Sequence, residues 1–170
     1  KSNSLKITYK DIKKIYLPSL PKNISKYERG KTLLIAGSDK YPGAAYLSLQ
    51  GAISSGAGFV SAILPDLVSK SILQVAPEVV VKGVMPCDEN GNAKLFHAID
   101  NIDLASYDSI VVGPGIGIDN NDWQKVESSL LQFEGLLILD ADALNRISQS
   151  KLGSKFLLQR RFKTWIYQFN

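Results

Sequence analysis

Two short apolar runs constrain this chain more than any other feature. Thr32-Leu33-Leu34-Ile35-Ala36 and Phe59-Val60-Ser61-Ala62-Ile63-Leu64 are nearly unbroken and are bounded by glycine, lysine or proline. A strand wetted on one face alternates polar and apolar residues, whereas a run without alternation belongs to a strand covered on both faces. Between the two runs lies Ala44–Ser55, of helical length, with small residues along one side that would let it lie close to a sheet. Gly56 and Gly58 mark its end. A strand–helix–strand unit of this kind implies parallel strands.

The alternation continues along the chain. Asp66–Leu73 predicts a helix with Asp66 at its start, and Glu78–Val84 an extended segment. Asp88–Asn92 reads as a polar turn, Phe96–Ile102 as a short helix and Asp108–Val112 as a buried strand. Trp123, Val126, Leu130 and Phe133 fall on one side of a predicted helix. Leu136–Leu139 is another buried strand, Lys151–Gln159 a further helix and Thr164–Tyr167 the start of one more strand. The expected architecture is an open α/β fold with a mostly parallel sheet. Residues 1–30 read as an entry arm to a domain over 31–170. Within the arm, Tyr9–Leu17 predicts a short helix that Pro18 and Pro21 stop.

Composition narrows the function classes. The 170 residues make about one domain. With 45% hydrophobic and 21% charged residues, a disordered tail, a collagen-like repeat and a disulfide-stapled miniprotein are excluded. No apolar run reaches the roughly 18 residues of a membrane-spanning helix. The net charge of +4 hints at nucleic acid until it is located. Residues 1–31 hold nine basic and two acidic side chains, 32–150 hold six and fourteen, and 151–170 hold five and none. The positive charge therefore sits on the flanks of an acidic body, not on the folded surface that a nucleic-acid domain would use. One cysteine, Cys87, permits no internal disulfide and suits a reducing cytoplasm. The single histidine, His97, fits a surface or packing role and supports no Ser-His-Asp triad.

Parallel α/β sheets bind ligands beyond the carboxyl ends of their strands. Three special loops fall there: Gly37–Gly43, Gly113-Pro114-Gly115-Ile116-Gly117 and Asp140–Asn145. The first can offer backbone N–H groups and a helix amino end to an anion, or be a plain turn. It is neither a Walker A loop nor a Gly-x-Gly-x-x-Gly fingerprint. In the second, alternate glycines remove every side chain that would block a ligand; a tight crossover is the plainer reading. Asp119, Asn120 and Asn121 are candidate caps for the helix that follows. In the third, Asp140 and Asp142 put two carboxylates at a strand tip, one to face a ligand and one to cap the next helix; both as caps and turn formers is the plainer reading.

Taken together, these strings resemble the NAD(P)H-hydrate dehydratase family. The resemblance runs through Gly30–Ser38, Tyr41–Ala45, Ser55–Val60, Ala76-Pro77-Glu78, Gly113–Gly117 and Asp140-Ala141-Asp142-Ala143-Leu144-Asn145, from about residue 5 to about residue 166. It implies a ribokinase-like three-layer sandwich and a lyase of metabolite repair. Such an enzyme removes the hydroxyl from hydrated NADH or NADPH after phosphorylating it with ADP or ATP and Mg2+, because phosphate leaves more readily than hydroxide. The resemblance puts Gly43 and Ala44 against the hydrated dinucleotide, Gly115 and Gly117 against it from the second loop, and Asp142 and Asn145 along the same cleft. It assigns no catalytic residue and no metal ligand here. The family's later Thr-Pro-His segment and Gly-Thr/Ser-Gly-Asp loop have no counterpart after Thr164, with roughly a hundred residues expected beyond. A C-terminally truncated and catalytically impaired domain is the resulting expectation, with an epimerase domain upstream in the parent protein, a cytoplasmic location and self-association as a homo-oligomer. The alternatives are another ribokinase-like small-molecule kinase and a non-catalytic binding remnant.

Overall fold

In the computed structural model, which describes residues 21–119, 121–159 and 164–167, six parallel strands form one sheet in the order β3-β2-β1-β4-β5-β6. They are β1 (Lys31–Ile35), β2 (Phe59–Pro65), β3 (Val80–Met85), β4 (Ser109–Val112), β5 (Leu136–Asp140) and β6 (Thr164–Tyr167). Six α-helices are described between them: α1 (Pro42–Ser54), α2 (Asp66–Val75), α3 (Phe96–Ile99), α4 (Trp123–Gln132), α5 (Asp142–Gln149) and α6 (Lys155–Gln159). The helix expected over Tyr9–Leu17 lies outside the described residues.

Strand alternation divides the apolar runs between two cores. Leu34, Ala62 and Leu64 face one side and pack under α1 and α2 with Leu49, Val68 and Ile72. Leu33, Ile35, Ile110, Val112, Leu137 and Leu139 face the other, beneath Ile99, Trp123, Val126, Leu130, Ile147 and Phe156. Helices thus cover both faces, which is why the strands could afford no polar alternation. The chain is the three-layer α/β sandwich that the sequence predicts.

Boundaries moved for local reasons. Asp66 does not cap α2 from outside; it is the helix's first residue, after Pro65, and its carboxylate pairs with Lys70 one turn on. The segment after β3 gives only one turn of α-helix and then a 3-10 turn at Leu104–Ser106. The small residues along α1 also behave differently from the expectation. Ser48, Gly51, Ala52 and Ser55 line an open groove of about 340 Å³ beside Leu34, Val111 and Ile138 rather than closing the helix onto those strands.

The described part of the entry arm docks at the amino ends of β1 and β2. The Tyr27 ring stacks on Phe59 at 5.7 Å. A Cβ at Gly58 would lie 1.6 Å from the Lys26 carbonyl oxygen, so the arm's position requires glycine there.

Candidate functional site

In this strand order the chain departs from β1 toward one face and from β4 toward the other. The crevice between the carboxyl ends of β1 and β4 is therefore the topological switch point, the place where open α/β sheets bind ligands. Both glycine loops meet there. Gly37 donates its N–H to the Pro114 carbonyl at 2.8 Å, tying the loop after β1 to the loop after β4.

The first loop ends in a helix start left bare. α1 begins at Pro42, with no side-chain cap and no acidic residue in its first turn. Proline suits that position because it lacks the N–H that would be unsatisfied there. Gly43 is exposed, and a Cβ added to it would meet nothing within 4 Å. Ala44 is half-buried against the second loop. The bare amino end of a 13-residue helix carries partial positive charge into this opening.

The second loop is packed, not open. A Cβ on Gly113 would lie 1.8 Å from the Asp140 carbonyl oxygen. One on Gly115 would lie 2.5 Å from Ala44 Cβ, and one on Gly117 2.3 Å from Asn92 Oδ1. All three have positive φ, at 128°, 66° and 74°. Their lack of side chains is required by neighbouring protein, which sequence reading attributed to ligand access. Gly115 is half-buried beside Ala44, whereas Gly113 and Gly117 are buried.

The third loop turns sharply. β5 ends at Asp140, and Ala141 takes φ 45° and ψ −114° before α5 starts at Asp142. Ala141 is the only non-glycine with positive φ among the described residues. Such a conformation costs about 1–3 kcal/mol and persists only when its surroundings enforce it. Here it swings Asp142 back to the second loop, where Oδ2 accepts the Gly117 N–H at 2.8 Å. Oδ1 accepts from Asn145 Nδ2 at 3.3 Å. Asp142 is thus in the helix rather than at the strand tip, and its carboxylate holds a loop. Asn145, exposed, stands beside it.

Two participants escaped sequence reading. One is the hairpin closed by the antiparallel bridge between Cys87 and Ala93. Gly91 accepts the Lys40 N–H at 3.2 Å, and Cys87 Sγ accepts the Asp39 N–H at 3.4 Å. The Ala93 N–H goes to Ile116 at 2.8 Å, so this hairpin touches both glycine loops. Burial pushes the Cys87 thiol up, away from a reactive thiolate. The other is Arg146, fully buried beneath the second loop. Its position with Ala143 and Ile147 on the inner stripe of α5 was the available signal. Of the side chains expected to cap α4, Asp119 accepts the Asn121 N–H at 3.0 Å, and Asn120 lies outside the described residues. The residue that precedes α4 is Asp122, whose carboxylate makes no cap and accepts the Phe96 N–H at 2.7 Å. His97 is exposed, edge-on to Phe96.

A larger cleft, about 420 Å³, lies at the opposite end of the strands among Ile99, Asp103, Tyr107, Phe133 and Gly135. None of the three loops reaches it, so topology rather than size locates the site.

The comparisons with known proteins point the same way. The sequence model of the NAD(P)H-hydrate dehydratase family matches residues 32–163. The bifunctional NAD(P)H-hydrate repair enzyme of Synechocystis is 37% identical over 134 residues, which are 79% of this chain and 24% of that protein. The ADP-dependent (S)-NAD(P)H-hydrate dehydratase of Xanthomonas campestris is 31% identical over 135 residues, covering 78% of this chain and 46% of that one. Among solved structures, the ADP/ATP-dependent NAD(P)H-hydrate dehydratase of Bacillus subtilis, co-crystallised with ATP and Mg2+, superposes with a TM-score of 0.65 at 27% identity. That match covers 89% of this chain and 48% of the solved one. The chain therefore spans about a quarter of the bifunctional relative and about half of the single-function ones.

Proposed function

The chain belongs to the NAD(P)H-hydrate dehydratase family, and from that membership we propose that its switch-point crevice binds the hydrated nicotinamide dinucleotide which such enzymes repair. The observation that carries the reading is the bare amino end of α1, with Gly43 in open space and the second glycine loop alongside. A dinucleotide brings a pyrophosphate, and a helix amino end offers it N–H donors and a favourable dipole. Gly43 and Ala44 line the crevice from the first loop, Gly115 and Gly117 from the second. Asp142 and Asn145 form its far wall. Residues 1–30 lead into this domain, and residues 31–170 contribute to it.

In the whole family domain the reaction is dehydration of NAD(P)H hydrate, with ADP or ATP supplying the phosphoryl group that turns the added hydroxyl into a leaving group. This chain's residues hold and orient the dinucleotide in that scheme. Among the described residues no cluster of three acidic, histidine or cysteine side chains could hold a metal ion. The bifunctional relatives suggest a second repair activity on the same parent chain. No described helix is long and apolar enough to cross a membrane.

Calorimetric titration of the 170-residue chain with (S)-hydrated NADPH tests the reading. The unaltered chain should bind, and Gly43→Glu should weaken binding by about tenfold or more by setting a carboxylate against the phosphates. A glutamate in the first turn favours the helix, so the melting temperature should hold. No saturable binding by the unaltered chain, or equal binding by the variant, rejects the assignment.

A further inference from the structure

Gly117 is held by α5 through both of its backbone polar groups. Asp142 takes its N–H, and Arg146 Nε donates to its carbonyl at 2.8 Å. The second arm of the guanidinium reaches further. Arg146 Nη2 donates to the Ala93 carbonyl at 2.8 Å and to the Ile116 carbonyl at 3.0 Å. One side chain thus ties the second glycine loop, the 87–93 hairpin and α5 together. Only a planar fork of donors can do this; an ammonium on a flexible stem cannot match three fixed carbonyls.

A fully buried cation in this position needs reasons to stay. Arginine does not lose its proton in proteins. Burial lowers its proton affinity, and Asp122, Asp119, Asp142 and Asp88, in that order, oppose the effect. Asp122 lies 3.8 Å from Nη1, and the Trp123 ring lies 5.7 Å from the guanidinium carbon. Nη1 itself, Asp122 Oδ1 and Asp119 Oδ2 make no hydrogen bond among the described residues. Burying a charge this way is a poor source of stability compared with an apolar side chain of the same volume. What the arrangement does supply is position: the φ of +74° at Gly117 is enforced on both sides of that residue.

We propose that Arg146 is the positioning residue of this site, fixing through Ile116 and Gly117 where the second glycine loop meets the dinucleotide. The inference rests on the proposed function for its ligand, but its structural half stands on the three carbonyl contacts alone. Arg146 touches no ligand; it acts through the loop.

Arg146→Lys and Arg146→Met in the 170-residue chain test this by two readouts. The first is amide hydrogen exchange, residue by residue. In Arg146→Lys, exchange at Ala93 and Gly117 should rise by about tenfold or more, the equivalent of one net hydrogen bond, while α2 amides keep their protection. The second is titration with (S)-hydrated NADPH at a temperature where both proteins are folded, whose affinity should fall by about tenfold in Arg146→Lys. If Arg146→Met does not fold, the lysine variant still decides. Unchanged protection at Gly117, or acceleration spread evenly over all amides, overturns the proposal and makes Arg146 ordinary core. Should the unaltered chain not bind the probe, the proposed function fails, while the exchange pattern alone then upholds or overturns the clamp on the loop.

Discussion

The two glycine loops look alike in sequence and differ in kind in the structure. After β1, Gly43 stands exposed with open space where a side chain would go. After β4, Gly113, Gly115 and Gly117 each press against another part of the protein, at would-be Cβ distances of 1.8, 2.5 and 2.3 Å. In the first loop Gly37 is packed, its would-be Cβ 2.8 Å from Ala45 Cβ, and only Gly43 is open for lack of a neighbour; the second loop is glycine-rich because its neighbours are too near throughout. A ligand crevice needs both, a vacant surface to meet the ligand and a rigid one to define its edge. Substitutions should therefore separate Gly43 from the glycines of the second loop: binding for the former, stability for the latter.

The largest effect is expected at Gly113. Its φ of 128° is open only to glycine, and the blocking atom is a backbone oxygen of β5 that no rotamer change can move. Gly113→Ala should cost about 4 kcal/mol or more, a large part of the roughly 5–15 kcal/mol that holds a domain. Urea denaturation should show the midpoint collapse, or no folded protein at all. A normal midpoint would break the comparison at its strongest point.

Gly117 is the better diagnostic because its obstacle is a side chain. Gly117→Ala should cost about 2–4 kcal/mol, from left-handed backbone strain plus the collision with Asn92. Asn92→Gly in the same chain removes Oδ1, Cγ and Cβ together and should restore the collision part but not the strain. A double-mutant cycle in urea measures that coupling. Strict additivity would mean that Asn92 is not what requires glycine at 117.

How much of this was legible beforehand follows from distance along the chain. The strands could be read because burial on both faces writes continuous apolar runs such as Leu33-Leu34-Ile35. The three loops could be placed at the carboxyl ends of the strands because parallel topology alone sets them there, but the switch point between β1 and β4 needs the strand order. The reason for each glycine could not be read, since the atoms that demand it come from Asp140, Ala44 and Asn92, which lie 27, 71 and 25 residues from Gly113, Gly115 and Gly117. Arg146 was hidden differently. A charged residue in an amphipathic helix normally marks its wet side, yet here it shares the inner stripe with Ala143 and Ile147. Asp142 read as a strand-tip carboxylate because nothing in the sequence announces the positive φ of Ala141, which is what carries the chain off the strand.

The hairpin that backs the second loop gives a smaller, pH-dependent effect. The Asp88 carboxyl is held below the usual aspartate range by the Asn92 side-chain amide first, then by the backbone amides of Asn92 and Asn90. A depressed value in the folded state means that the stabilisation is complete above the ordinary 3.8 and is lost as pH falls through the folded value. Acid should loosen the hairpin and, through Asn92, the wall behind Gly117, together with the Lys40 contact to Gly91, while α1 stays unchanged. Amide shifts of Asn90 and Asn92 followed from neutral pH downward should report it. Asp88→Asn should show the loosened state at neutral pH and no further change on acidification. A hairpin that holds its amides unchanged through that range would remove Asp88 as its fastener.

The smallest effect on stability, and the sharpest on the comparison, belongs to Gly43. It lies in the first turn of α1 without positive φ, and an added methyl group meets nothing within 4 Å. Replacing glycine by alanine in a helix at an unstrained position lowers the entropy of the unfolded chain, so Gly43→Ala should raise stability by about 0.5 kcal/mol. The same methyl group stands where a phosphate would approach the amino end of α1, so affinity for hydrated NADPH should drop by about tenfold. The opposite signs matter more than either size. A glycine kept for packing loses stability when it gains a side chain; a glycine kept for a ligand gains stability and loses binding. If Gly43→Ala left binding intact and merely stabilised the chain, the open space beside α1 would be surface, and the distinction between the two loops would reduce to packing alone.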